Sequence, residues 1–379
     1  MSLYKIMISL DKNIQTFLAL VRAGLWESEV RLFHFEKIDF MEVYRLAEEQ
    51  SVVGLVLAGI ERFKNANLHL NLDQELLLQW IGEVQMMEQQ NLAMNDFLAK
   101  LIEKLRRENV YAILVKGQGI AQCYEKPLWR ASGDVDLLLS ESNYELAKEV
   151  LIPHAIEVER EFKTFKHQGM TMDGGIVVEL HGTMHSRLSK KVDRVIDDAQ
   201  SDCFYNGSVR TWQNGNSQVF LPSPDNDVIF VFTHILHHFY IEGIGLRQIC
   251  DWCRLMWTYK DSLNHALLEK RIRKMGLMSE WKAFAAFAVE YLGMPIDAMP
   301  LYNENDNKKP KLHRKAEHIL KFVLESGNFG NNRKAASDKF SSAWYKMKDF
   351  VRHGRVFPLD SIRFFWHFLG DGLALAASR

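Results

Sequence analysis

No stretch of this 379-residue sequence approaches the ~20 consecutive apolar residues that cross a bilayer. Residues 1–12 carry an early lysine and a short apolar run, but no hydrophobic segment followed by a small-residue cleavage site. Only four cysteines are present, and with no secretion signal the expectation is free thiols in a reducing, cytoplasmic compartment. An excess of charge of either sign is also missing. Lys plus Arg total 47, Asp plus Glu total 48, and the formal net charge is -1. That balance argues against a whole-protein nucleic-acid binder, which usually shows a strong basic excess. There is no internal repeat and no low-complexity tract.

What remains is an ordinary globular composition, 47% hydrophobic and 25% charged, long enough for two or three cores. Residues 1–109 read as helical. Asp11 can cap a helix with Ile14, Phe17, Leu18, Val21 and Leu25 on one face, Asp39 can cap a second, and Asp73 opens a long third. Strand signals are confined to residues 110–221. Apolar runs at 110–115 and 135–139 suggest buried strands, and 156–165, 167–172 and 176–181 suggest three more. Asp173-Gly174-Gly175 is a candidate hairpin turn. Helices are expected at 120–124 and 141–151. Pro222 and Pro224 then mark a return to helix, with Asp225 as a candidate cap for residues 228–240. Residues 303–311 read as a loop, and 364–368 as a core or interface helix. The predicted fold class is α+β: a small mixed-sheet core at 110–221 between helical regions at 1–109 and 222–379.

The chemistry concentrates in the segment KGQGIAQCYEKPLWRASGDVDLLL, residues 116–139. Residues two apart on a strand share a face, so Asp134 and Asp136 project together while Val135 and Leu137 point away. Two carboxylates on one face of an apolar strand are costly unless neutralised, and a divalent cation with oxygen ligands, such as magnesium, would do this. Glu179 and His181 share one face of a later strand. If that strand lies beside the first, three carboxylates converge, as two-metal phosphoryl chemistry requires. Repulsion within such a cluster predicts that Asp134→Asn and Asp136→Asn leave metal-free stability level or higher. Gly117 and Gly119 sit where strand gives way to helix and could let backbone N–H groups approach a phosphate. Lys116 and Arg130 could neutralise triphosphate charge, Arg130 by gripping two oxygens.

This order of glycine turn, basic residue, Asp-x-Asp and later acid resembles the polymerase-beta-like nucleotidyltransferases. The string Lys116-Gly117, Tyr124, Pro127, Arg130 and Gly133-Asp134-Val135-Asp136 is more narrowly similar to the bacterial uncharacterised nucleotidyltransferase family proteins, as is Val178-Glu179-Leu180-His181. Segments 40–55 and 234–252 resemble that group's flanking helices, so the likeness covers roughly residues 30 to 260. Gln118 departs from the broad pattern, which often has serine there. The resemblance implies a small mixed-sheet fold and magnesium, with manganese as an alternative. Asp134, Asp136 and Glu179 are the implied metal ligands and catalytic residues. Lys116, Gly117, Gln118, Gly119, Arg130, His181 and Arg247 are the nucleotide-binding set. The implied reaction moves a nucleoside monophosphate from a nucleoside triphosphate, ATP by default, to an unidentified acceptor hydroxyl. The alternative is a non-catalytic nucleotide- or partner-binding protein on the same fold.

Other groups read more simply. His234 and His238, at i and i+4 on a helix with His237, have zinc spacing but no evident third ligand, so helix packing or a polar network is the better reading. Cys250 and Cys253 form a lone CxxC in a helix and read as structural. Arg247 and Asp251 would make an i,i+4 surface pair, unless their helix faces the cleft. The basic run Lys308, Lys309, Lys311, Arg314 and Lys315 reads as a solvated face or as a patch that attracts RNA or an anionic partner, two readings the sequence leaves open.

Overall fold

A computed structural model describes residues 10–28, 38–62, 72–163, 166–328 and 339–366. Three helices open the chain: α1 (Lys12–Trp26), α2 (Phe40–Glu49) and α3 (Val53–Glu61). The caps expected at Asp11 and Asp39 form, each side chain accepting from backbone N–H groups in the first turn. A 34-residue helix, α4 (Gln74–Arg107), follows, its side-chain cap supplied by Asp73.

The next segment builds one seven-stranded sheet. Its elements are β1 (Ala112–Val115), α5 (Gly117–Ala121), β2 (Asp134–Leu139), α6 (Glu141–Leu151), β3 (Glu157–Val158), β4 (His167–Thr171), β5 (Val177–His181), α7 (Lys190–Tyr205), β6 (Val209–Asn214) and β7 (Ser217–Pro222). Strand order is β3-β4-β5-β2-β1-β7-β6. The β2–β5 and β1–β7 pairs are parallel, and the other neighbours antiparallel. The sheet is mixed and the fold α+β, as expected.

The C-terminal helices are α8 (Pro224–Ile241), α9 (Leu246–Thr258), α10 (His265–Met275), α11 (Met278–Leu292), α12 (Glu304–Asn307), α13 (Pro310–Ser326) and α14 (Lys339–Gly354). Two cores sandwich the sheet. One face, with Ala112, Leu114, Val135, Leu137, Val178 and Leu180, packs on α4 and α6. On the other side Ile113, Val115 and Leu138 join a larger cluster that merges α1–α3 with α7–α11 and α13. This alternation along β2 leaves Asp134 and Asp136 on the second face, and there a cleft opens between sheet and helices.

Several boundaries differ from the sequence expectation. The strand expected at 156–165 shrinks to Glu157–Val158 plus a bridge from Phe162 to His167, because residues 157–161 are mostly charged and sit at an edge. Phe165 and residues 367–368 lie outside the described residues. The 120–124 helix begins earlier, at Gly117, and ends at Ala121. The hairpin β6–β7 carries no strong apolar alternation and was not anticipated. Ser223, not Asp225, occupies the cap position of α8, with Pro224 at the first helical position; Asp225 accepts from the Asn264 amide instead. The 303–311 loop contains the one-turn α12, capped by Asn303, and the start of α13. Lys315 is buried against Ser279, so the basic run is not wholly solvated. Phe364 is a core residue.

Helices α1 and α3 meet backbone to backbone. A Cβ at Gly24 would fall on the Leu55 carbonyl, and one at Gly59 on the Leu20 carbonyl. Gly59→Ala is therefore expected to lower stability by about 1–3 kcal/mol through overpacking. Gly82→Ala, in the interior of α4 with open space around it, should raise stability by about 0.5–1 kcal/mol. Thermal melts of the two variants check the pair.

Candidate active site

The site begins where β1 ends. Lys116 follows Val115 with φ 57° and ψ -140°, a region L-residues seldom occupy. From there its Nζ donates to Asp136 Oδ1 at 3.0 Å. Register does the rest. Val115 pairs with Asp136 on one side, and Asp136 pairs with Glu179 on the other. One oxygen of each of Asp134, Asp136 and Glu179 comes within 4.8 Å of the others, so the sheet assembles the predicted triad from two adjacent parallel strands.

His181 Nε2 contacts Asp136 Oδ1 at 2.7 Å and Glu179 Oε2 at 3.4 Å. His167 Nε2 lies 3.2 Å from Glu179 Oε2. These neighbours set the electrostatics. Asp134 is pushed above the ordinary carboxylate range, first by the charge of Asp136 and then by burial. Burial would push Asp136 up too, but Lys116 and His181 outweigh it and hold Asp136 below that range. Glu179 is likewise held well below it, burial being overcome by His167 and His181. Burial disfavours charge on Lys116 and His181, yet the surrounding acids keep both above their usual values. Lys116 and His181 thus supply the positive charge that the acid cluster demands.

The triad lines an open cleft. Lys116, Gly117, Arg130 and Arg247 line it too, as does His234 from α8 across the cleft. A second lobe of about 1190 Å³ shares Lys116, Glu179, His234, His238 and Glu242 with the first and adds His167, His181, His185 and Arg187.

Two of the expected nucleotide-binding residues face elsewhere. Gln118 is buried, donating to Asn91 Oδ1 at 3.2 Å and accepting from Ser132 Oγ at 3.1 Å. Gly119 packs under Leu221, where a Cβ would collide. Neither lines the cleft; both fasten α5 to α4 and β7. Arg130 is at the wall, but its Nε and Nη2 donate to Asp251 Oδ1 and Oδ2 at 2.9 and 2.7 Å. Tyr124 donates to the same carboxylate at 2.9 Å. Asp251 is therefore a buried partner of Arg130 and not a surface partner of Arg247, whose Nη1 donates to the Ala131 carbonyl at 2.9 Å.

The helix histidines form the polar network expected of them. His234 and His238 meet Nε2 to Nε2 at 3.0 Å, and His238 Nδ1 lies 2.9 Å from Glu242. Burial lowers both. Cys250 and Cys253 are buried free thiols within α9, pushed up by burial, in keeping with a structural role.

Sequence reasoning missed His167 and Glu242. Counting back from the Asp173-Gly174-Gly175 turn places His167 opposite His181, the pairing that forms. Glu242 stands four residues after His238, one turn along the same face.

Residues 36–293 match the model of the uncharacterised nucleotidyltransferase family, and the chain belongs to that family. Comparison with curated proteins and with solved structures gives no match. No helix among the described residues is long and apolar enough to cross a membrane.

Proposed function

We propose that the protein transfers a nucleoside monophosphate from a nucleoside triphosphate to an acceptor hydroxyl, with magnesium or manganese held by Asp134, Asp136 and Glu179. The observation that carries this reading is the convergence of three carboxylates within 4.8 Å on the floor of a cleft. Asp134, raised by its neighbour's charge, is the group such a cation would relieve most. An oxygen-rich triad suits magnesium, which polarises phosphoryl oxygens and offsets developing charge. Lys116 and Arg247 line the same cleft and would bind the triphosphate, Arg247 from a helix whose position Asp251 fixes through Arg130. Gly117, at φ 35°, brings the α5 N-terminus beside Asp134. His181 holds Asp136 in place. ATP is the default donor by abundance. The ion pair between Lys116 and Asp136 also favours a second reading, a metal-independent nucleotide- or partner-binding site.

The deciding experiment incubates the protein with each labelled triphosphate, magnesium and a cell extract, then looks for label in protein, RNA or small molecules. Magnesium with a triphosphate at ~100-fold its Kd should stabilise the fold by about 2.7 kcal/mol by mass action, read as a higher Tm. A nucleotide-dependent rise with no labelled product would favour the binding-protein reading. No rise at millimolar concentrations would remove both.

A further inference from the structure

The triad is not the only cluster of donor atoms on this face. His167, Glu179 and His181 form a second group, one ligand atom of each within 4.8 Å of the others. Backbone register brings them together. His167 on β4 pairs directly with His181 on β5, and Glu179 precedes His181 by two, so all three side chains leave the sheet on one face. They border the second lobe, on the side of Glu179 away from Asp134.

Donor type and spacing both bear on what the group would hold. Two imidazoles and one carboxylate make the three-ligand set of open zinc sites; magnesium prefers oxygen throughout. Zinc bonds of ~2.0–2.1 Å in a tetrahedron put neighbouring donors ~3.3–3.4 Å apart. An octahedron with bonds of the same length would need ~2.9 Å. The observed separations from Glu179 Oε2 are 3.2 Å to His167 and 3.4 Å to His181. His181 Nε2 also lies 2.7 Å from Asp136 Oδ1, so ligation there requires a neutral ring and exchanges that contact for the cation. Both separations about Glu179 lie near the tetrahedral value.

We propose that His167, Glu179 and His181 form a transition-metal site, of zinc type, distinct from the acid triad and sharing Glu179 with it. Its open position faces the second lobe, among Thr183, His185 and Arg187. A cation there would lower the pKa of a bound water or hydroxyl on the side opposite the Asp134 edge. The site shares Glu179 with the triad and engages the nitrogen that His181 turns to Asp136, but its test reads zinc binding and not transfer, so failure of one reading is distinguishable from failure of the other.

The test uses the full chain, stripped with chelator and titrated with zinc by calorimetry in millimolar magnesium. One zinc per chain is expected, undisplaced by the magnesium. His167→Ala and His181→Ala should each weaken zinc binding by at least ~100-fold. Asp134→Asn should leave it within a few-fold, although that variant loses magnesium at the triad. Cobalt should give intense visible bands of low coordination number, and His167→Cys should add a sulfur-to-cobalt charge-transfer band in the near ultraviolet. His167 is partly exposed, so its substitutions should fold and carry the test by themselves; melting curves check the fold of His181→Ala, whose side chain also contacts Asp136. Three results would overturn the proposal: no zinc or cobalt bound at micromolar concentration, displacement of zinc by magnesium at comparable concentration, or unchanged zinc affinity in His167→Ala. The last would rule out His167 as a ligand and the site with it.

Discussion

Asp134→Asn and Asp136→Asn should each cut turnover by ~1000-fold or more, and should shift metal-free stability in opposite directions. The first effect follows from the proposed chemistry, since either change removes charge that holds cations acting on both attacking and leaving oxygens. The second follows from what each acid touches. The sequence suggested that both changes would leave stability level or higher, because like charges repel. That argument holds for Asp134, which is raised chiefly by the charge of Asp136. Its neutral form is favoured in the fold: the stabilisation is full below the ordinary carboxylate pKa and is lost as pH rises through the elevated one. At pH 7 Asp134→Asn removes an unfavourable charge, and the Tm should hold or rise. Asp136 is the reverse case. Buried, and bonded by Lys116 and His181, it is held below the ordinary range. Its ionised form stabilises the fold above the ordinary pKa, and that contribution is lost as pH falls through the depressed one. Asp136→Asn leaves Lys116 facing a neutral amide, a loss of about 3 kcal/mol. Melts in chelator at pH 7 read the sign of each change, and labelled-triphosphate assays read turnover. Near-normal turnover in Asp134→Asn would end the metal-site reading. Equal melting behaviour of the two variants would refute the electrostatic account of Asp136. Glu179→Gln should also lose turnover while keeping more triphosphate affinity, since Glu179 faces both lobes.

The triad was legible because its geometry is a strand property. Period-two alternation fixed which side of β2 the aspartates took, and the acid-Leu-His strand needed only to land beside β2. What could not be read was partnership across long sequence gaps. Gln118 looks like a phosphate contact from its place after Gly117, yet Asn91 on α4 and Ser132, just before β2, take both ends of its amide. Gly119 looked like a phosphate turn, and its small size serves the packing of Leu221 instead. Nothing local to residues 117–119 specifies either partner. Similarly, α9 periodicity put Arg247 and Asp251 on neighbouring turns, but the pairing of Asp251 with Arg130 joins residues 121 apart. Lys116 was a candidate for phosphate charge; its backbone turn towards Asp136 is a tertiary result. In each case the residue type was informative, and the contact that decides its role is set by packing against another layer.

Arg130 is where this distinction has the largest measurable consequence. Its side chain and that of Asp251 are each 5% exposed, joined by two hydrogen bonds, with Tyr124 on the same carboxylate. Burial disfavours the Arg130 charge, and Asp251 more than offsets that. Removing one partner strands the other as a buried, uncompensated charge. Arg130→Met and Asp251→Leu should therefore each cost about 3–5 kcal/mol. The double variant should recover most of that loss, because no charge is left stranded and two apolar side chains fill the volume. Denaturant melts of the four proteins give the coupling directly. The same cycle assigns Arg130 a role. The residue precedes the turn into β2, and Asp251 lies one helical turn after Arg247, so the pair ties the triad strand to the arginine-bearing helix. If Arg130 grips the triphosphate itself, the double variant should fold yet bind magnesium-triphosphate no better than Arg130→Met. If it positions β2 and α9, triphosphate affinity should return with stability. Two N–H groups of the guanidinium already donate to Asp251, and its Nη1 donates to the Ala131 carbonyl and Ser132 Oγ. With those donors committed, recovery in the double variant is the expected result, and the proposed triphosphate contacts are those of Lys116 and Arg247.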